Sequence, residues 1–188
     1  MKRILIIGIG AGDPRQVTMQ AIEALNRVDV FFVLEKGSIK QDMVALRLGI
    51  CRRYIEDHPY RIVEASSPPR EHAPADYLAS VDGLNREKQA AFEKMIAEEL
   101  ADGQCGGILA WGDPALYDST IRNVAALAAN PAHDLDYEVI PGISSIQILA
   151  ARHRITLNRI GQSVQITTGR RLKEGWPASA EGVRGSTR

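Results

Sequence analysis

Five short apolar runs recur along this chain, each ending in a turn built from Gly, Asp, Pro or Ser, and this alternation is the strongest constraint on its fold. They are RILIIGI at 3–9, VDVFFVL at 28–34, YRIVEA at 60–65, CGGILAW at 105–111 and YEVI at 137–140. Continuous β-branched and apolar runs of this length mark strands covered on both faces of a parallel sheet. Between them lie segments with helical spacing: Val17 to Arg27, the stretch around Met43–Leu48, residues 84–100 with Phe92, Met95, Ile96 and Leu100 on one side, and about Leu116 to Ala129. Strands alternating with helices imply right-handed βαβ units and an open parallel sheet, so an α/β fold. We therefore expect an N-terminal α/β domain over 1–140, with an open five-stranded parallel sheet, and the start of a second, incomplete α/β domain over 141–188. The segment SSPPREHAPADY at 66–77 is too rich in Pro, Ser and charge for regular structure and reads as an exposed loop, a lid or a plain surface excursion.

Composition narrows the function classes. The chain has 188 residues, 45% of them hydrophobic, with 23 basic and 23 acidic side chains. That balance lacks the positive excess that binding a nucleic-acid backbone needs, so no nucleic-acid partner is expected. No apolar run approaches the roughly 20 residues of a membrane span, and the N-terminal MKRILIIGIGAG runs into Asp13-Pro14 without a small-x-small cleavage site, so it reads as a first strand rather than a leader. Cys51 and Cys105 are far apart and lack metal-ligand spacing, which predicts reduced thiols in a cytoplasmic protein. His58, His72, His133 and His153 are scattered and read as surface histidines, and no metal site is expected.

In an open parallel sheet, ligands bind beyond the carboxyl ends of the strands, and three turns there invite a functional reading. The first, GIGAGD at 8–13, falls short of a dinucleotide fingerprint: Asp13 stands where the third glycine would be, and an acid at that mouth repels a pyrophosphate. Its glycines could equally serve only a tight strand-to-helix turn. The second, WGDPALYDST at 111–120, repeats the Gly-Asp-Pro of 12–14, and each Asp can cap a helix while each Pro starts one. The third, PGISS at 141–145, presents Ser144 and Ser145 at a helix start, outside any GxSxG setting that would make a hydrolase nucleophile.

Together GIGAGDPRQVTMQA, WGDPALY and VIPGISS, in this order, resemble the tetrapyrrole methylases, enzymes that use S-adenosylmethionine on corrinoid and sirohaem precursors. RVDVFFVLEKGS and ISSIQILAARHRITLNRIGQSVQITTGRRL extend the likeness over roughly residues 3 to 177, toward the branch that methylates ring carbon C-1 of precorrin-5 and releases acetate in aerobic cobalamin synthesis. The resemblance implies a tetrapyrrole methylase-like fold of two α/β domains with the cofactor in the cleft between them, a homodimer, and a polycarboxylate macrocycle as substrate. Carried over by position, S-adenosylmethionine, or S-adenosylhomocysteine as product, would contact Ala11, Trp111, Gly112, Asp113, Leu116, Ser144 and Ser145. The substrate side would be formed by Gly10, Gly12, Asp13 and Arg15, with Lys36 and Arg154 as further candidates for pairing with substrate carboxylates. The acid that some relatives carry at the end of the second strand is replaced by Leu34, leaving Glu35 and Asp13 as catalytic candidates. Family members normally continue beyond the point at which EGVRGSTR closes this sequence, so the activity of this chain by itself is left open. Another methylase of the fold such as diphthine synthase, an inactive remnant, and a nicotinamide oxidoreductase are the competing readings.

Overall fold

The computed structural model describes residues 1–35, 41–66 and 77–167. The chain divides into two compact units, 1–148 and 149–188. In the first, β1 (Lys2–Gly8), β2 (Val30–Glu35), β3 (Arg61–Ser66), β4 (Cys105–Ala110) and β5 (Leu135–Ile140) form one sheet in the order β3-β2-β4-β1-β5, and every pairing is parallel. The helices are α1 (Met19–Leu25), α2 (Gln41–Tyr54), α3 (Tyr77–Glu99), α4 (Thr120–Ala128) and α5 (Ser145–His153), the last running across the boundary between the units. Residues of the second unit described here are the end of α5, a left-handed Arg154 (φ 55°) that terminates it, and an exposed segment through 167 without regular elements.

The strand periodicity sorts the core into two layers. On one face Ile4 and Ile6 of β1, Val30 and Phe32 of β2 and Ile108 of β4 pack against Phe92, Met95 and Ile96 of α3 and Val124 and Leu127 of α4. On the other, Leu5 and Ile7, Phe31 and Leu109 pack against Ala21, Ala24 and Leu25 of α1 and Ile50 and Cys51 of α2. The predicted strands are thus all present within a residue or two. The helix starts differ. Thr18 caps α1 by accepting a hydrogen bond from Ala21 N at 3.1 Å, so the helix begins two residues after Val17. Helix α3 begins at Tyr77 rather than 84; of the expected loop at 66–77, Ser66 ends β3, Tyr77 opens α3, and 67–76 lie outside the described residues. Helix α4 begins at Thr120 rather than Leu116, because Tyr117 takes a left-handed conformation (φ 55°) that a right-handed helix cannot continue through.

Two connections fix the ends of this layered unit. The Asn26 amide donates to Ile22 O and Tyr54 O, both at 2.9 Å, while its carbonyl accepts from Glu56 N, tying the end of α1 to the end of α2. The Tyr54 hydroxyl donates to Pro14 O at 2.8 Å, which pins the first turn to α2. At the amino end of the sheet Asp29 accepts from Cys105 N at 2.8 Å, and His58 Nε2 lies 3.5 Å from the same carboxylate. His133 similarly sits 3.1 Å from Glu93, so these two histidines are half-buried beside carboxylates rather than free surface groups, and His58 Nε2 makes no hydrogen bond among the described residues. His153 is exposed as expected, and His72 lies outside the described residues.

The centre of the sheet leaves no room at β4. A Cβ on Gly107 would meet both Val28 methyls at 2.8 and 2.9 Å and Phe31 Cδ1 at 3.0 Å. Gly107→Ala should therefore destabilise the fold by about 1–3 kcal/mol, seen as a lower urea midpoint at unchanged slope. Burial also pushes the thiol of Cys51 up to about 12 and that of Cys105 to about 11. Both are free. A raised thiol pKa stabilises the fold fully below the unfolded value near 9 and loses that contribution as pH climbs toward 11–12. The urea midpoint should accordingly fall between about pH 8 and about pH 10, and fall less in Cys51→Val.

Candidate functional site

The chain leaves β1 into α1 on one face and leaves β4 toward α4 on the other, although β1 and β4 are neighbours. Helices departing to opposite faces open a crevice at the carboxyl ends of such strands. All three turns singled out in the sequence meet there. Gly10 and Gly112 pair as an antiparallel bridge, with Gly112 N donating to Gly10 O at 2.8 Å and Gly10 N to Gly112 O at 3.3 Å. Both glycines have positive φ, 77° and 64°, as the turns require. The third turn closes onto the other two. A Cβ on Gly8 would sit 2.5 Å from Gly142 N and 2.9 Å from Gly112 O, and one on Gly142 would collide with Gly112 O and with Gly8. Gly8, Gly112 and Gly142 thus meet backbone to backbone.

Asp113 fastens this junction. One carboxylate oxygen accepts from Ala115 N at 2.8 Å and shapes the second turn, and the other accepts from Gly142 N at 3.0 Å in the third. Its role is a tie between turns, and it does not cap α4, whose preceding Ser119 makes no side-chain capping bond. Asp13 behaves as the cap expected of it: it accepts from Arg15 N at 3.0 Å ahead of the 3-10 turn Pro14–Gln16 and forms a two-oxygen pair with the Arg15 guanidinium, whose shortest contact is 2.7 Å. Arg15 remains largely exposed.

At the third turn Ser144 is buried and Ser145 exposed. Ser144 N donates to Gln147 Oε1 at 2.7 Å, half of a capping box that organises the start of α5. Gly112 lies against this start, its would-be Cβ 3.5 Å from Ser144 Cα. Of the expected cofactor residues, Gly112, Asp113 and Ser144 are therefore drawn into one junction, with Trp111 and Leu116 adjoining it in the second turn and Ser145 in the third. Ala11 is exposed in the first turn beside Gly10 and Gly12. Glu35 is the last residue of β2, whereas Lys36 is outside the described residues.

Sequence reasoning missed the neighbouring cavity. Strands β2 and β4 pair only at Val30–Gly106 and Phe31–Gly107; beyond that point they separate, and a cavity of about 110 Å³ opens between Phe32 to Leu34 and Ile108 to Leu109. Its wall includes Arg47, Lys88, Asp118 and Asn123. The Arg47 guanidinium carbon stands 5.3 Å from the centre of the Trp111 ring, a cation–π contact linking the cavity to the second turn. Burial lowers the pKa of Arg47, and the Asp118 carboxylate partly opposes that shift. A signal existed for two of these residues. Arg47 interrupts the apolar run of α2 between Leu46 and Leu48, and Asn123 lies one helical turn from Leu127 on the buried side of α4.

The Tetrapyrrole (Corrin/Porphyrin) Methylases match residues 3–184 of this chain. Precorrin-6A synthase (deacetylating) of Sinorhizobium sp is 45% identical over 181 residues, covering 96% of this chain and 69% of that protein. Uroporphyrinogen-III C-methyltransferase of Methanocaldococcus jannaschii is 22% identical over 174 residues, 92% of this chain and 61% of its own length. Among solved structures, a cobalamin synthesis related protein (CobF) of Corynebacterium diphtheriae superposes with a TM-score of 0.71 at 34% identity, covering 93% of this chain and 67% of that one. Cobalt precorrin-4 methyltransferase (CbiF) shares the fold at a TM-score of 0.51 and 20% identity, with 87% and 55% covered. The chain thus spans between about half and about two thirds of the length of these relatives.

The glycine junction gives a direct test of the geometry. Gly142→Ala should force the second and third turns apart, lowering the thermal midpoint by several degrees and costing about 1–3 kcal/mol, whereas Gly12→Ala, with nothing within 4 Å of its would-be Cβ, should cost only the strain of its positive φ. Paired thermal melts of the two variants check this.

Proposed function

The chain belongs to the tetrapyrrole (corrin/porphyrin) methylases, and from that premise we propose that it is an S-adenosylmethionine-dependent C-methyltransferase of cobalamin assembly, methylating precorrin-5 at C-1 and releasing the extruded acetyl group, with consumption of one water, as acetate to give precorrin-6A. The observation that carries this reading is the high identity, over nearly the whole chain, to a precorrin-6A synthase.

The residues present fit the cofactor. Three turns converge on one crevice, the buried Trp111 indole nitrogen has no hydrogen-bond partner, and Ser145 is exposed at the start of α5. A helix start favours a carboxylate, and acidic side chains near a turn complement an ammonium group. Ala11, Trp111, Gly112, Asp113, Leu116, Ser144 and Ser145 would hold it. When bound, it supplies an electrophilic methyl group on a sulfonium, and the electron-rich ring carbon of the macrocycle is the nucleophile. The protein's own task in the methyl transfer is then alignment and exclusion of bulk water rather than nucleophilic attack. Asp113 contributes by fixing the second turn to the third, so that both present their backbones in one geometry. Asp13 holds Arg15 at the rim of the first turn, where an exposed guanidinium can meet a substrate carboxylate beside Gly10 and Gly12. Among the described residues no helix is long and apolar enough to cross a membrane. That the enzyme works in the cytoplasm as a homodimer is part of the same proposal and rests on the family alone.

Titration calorimetry with S-adenosylhomocysteine, run beside NADH, tests the reading. The expected result is binding of S-adenosylhomocysteine alone, weakened roughly tenfold or more in Asp113→Ala, which removes two backbone hydrogen bonds. Binding of NADH, or of neither compound to the folded protein, would overturn it.

A further inference from the structure

The cavity between the diverging ends of β2 and β4 is built unlike the rest of the core. Two of its polar groups are withdrawn from water and unanswered: Asn123 is 4% exposed and its amide nitrogen has no hydrogen-bond partner, and Arg47 Nε is likewise buried without one. A buried donor left unpaired is costly, and a buried guanidinium more so, unless something else completes it. Asp118 lies close enough to act on Arg47, but one of its oxygens accepts from Thr120 N at 2.6 Å and it leaves Nε unbonded. The remaining walls are mixed: Phe32, Leu34, Phe92 and Ile108 stand beside Lys88, Ser119 and Thr120.

Guanidinium and amide donors in a recess walled partly by apolar side chains, with Lys88 adding a second basic group, suit a planar anion with two acceptor oxygens. At about 110 Å³ the space admits several waters or one short acidic arm, and it is far too small for a macrocycle. It also lies beside the second turn, since Arg47 rests over Trp111.

We propose that this cavity is a carboxylate-binding subsite in which Arg47 and Asn123 together receive one carboxylate group. Two sources offer that chemistry, an acidic side arm of the macrocyclic substrate and a free short-chain acid such as the acetate released in the reaction; their identity as sources rests on the function proposed above. An arm held here would anchor the ring on the β2 side of the crevice, away from Asp13 and Arg15 on the first turn.

Sodium acetate titrated into the ¹⁵N-labelled protein, with sodium chloride at matched ionic strength as control, reads the site directly through the Arg47 Nε–H and Asn123 side-chain signals. Saturable shifts with acetate alone are expected, with affinity lowered roughly tenfold or more in Arg47→Met and in Asn123→Leu, and less in Arg47→Lys, which keeps the charge but loses the paired donors. A purely structural Asn123 would let Asn123→Leu hold or gain stability while leaving acetate binding unchanged, and that result overturns the proposal. So do identical shifts with chloride and acetate. Uroporphyrin III, a polycarboxylate macrocycle, separates the sources: displacement of acetate assigns the site to a substrate arm, and acetate binding that uroporphyrin leaves intact assigns it to the free acid. Loss of S-adenosylhomocysteine binding with acetate binding retained would sink the methyltransferase reading and leave the subsite standing.

Discussion

Three polypeptide turns meet at the carboxyl ends of β1, β4 and β5 with their backbones in contact, and the functional end of this protein depends on that junction. Gly8, Gly112 and Gly142 approach so closely that a single methyl group on Gly8 or Gly142 would overlap backbone atoms of the others. Close approach of main chains brings unpaired N–H and C=O groups together, and the structure satisfies them within the junction: Gly10 and Gly112 exchange hydrogen bonds, and Asp113 answers Gly142 N. The side chain that a sequence reader takes for a helix cap is thus a cross-turn fastener, and its carboxylate is committed to the architecture before any ligand arrives.

The sheet order explains why the junction can exist. With β1 lying between β4 and β5, all three of the relevant strands end side by side, and each pairs in register nearly to its tip, Gly8 opposite Ala110 and Ile7 opposite Ile140. On the far side the opposite holds. Pairing between β2 and β4 stops after two residue pairs, so the tips diverge, and a cavity with a buried guanidinium and a buried amide fills the gap. The crevice therefore has a tightly hydrogen-bonded side formed by backbone and a looser side formed by side chains. The first suits a ligand recognised through main-chain groups, the second an anion recognised through charge.

Much of this was legible in the sequence, and the reasons differ from element to element. Continuous apolar runs such as RILIIGI are forced into buried strands, because no other arrangement removes both faces from water, and all five strands stand where the runs predict them. Helix starts were less legible. The left-handed turn at Tyr117 delays α4, and Thr18 caps α1 through a bond its neighbours do not advertise. The three turns were recognisable as a set through their Gly, Asp, Pro and Ser, yet nothing in their spacing tells that Gly142 packs on Gly112, positions thirty residues apart that only the sheet order brings together.

The cavity was not legible at all as a site. Arg47 and Asn123 each betray themselves as polar residues on apolar helical faces, but they belong to helices on opposite sides of the sheet, and their meeting depends on how far two strands separate. By itself, then, the sequence determined the strands, the order of βα units and the chemical character of the turns, because hydrophobic periodicity and backbone restrictions act over a few residues. Which turns touch, what Asp113 binds and where buried donors are left unpaired were decided only by the tertiary structure, because hydrogen bonds and desolvation depend on distances that the chain sets through packing rather than through sequence spacing.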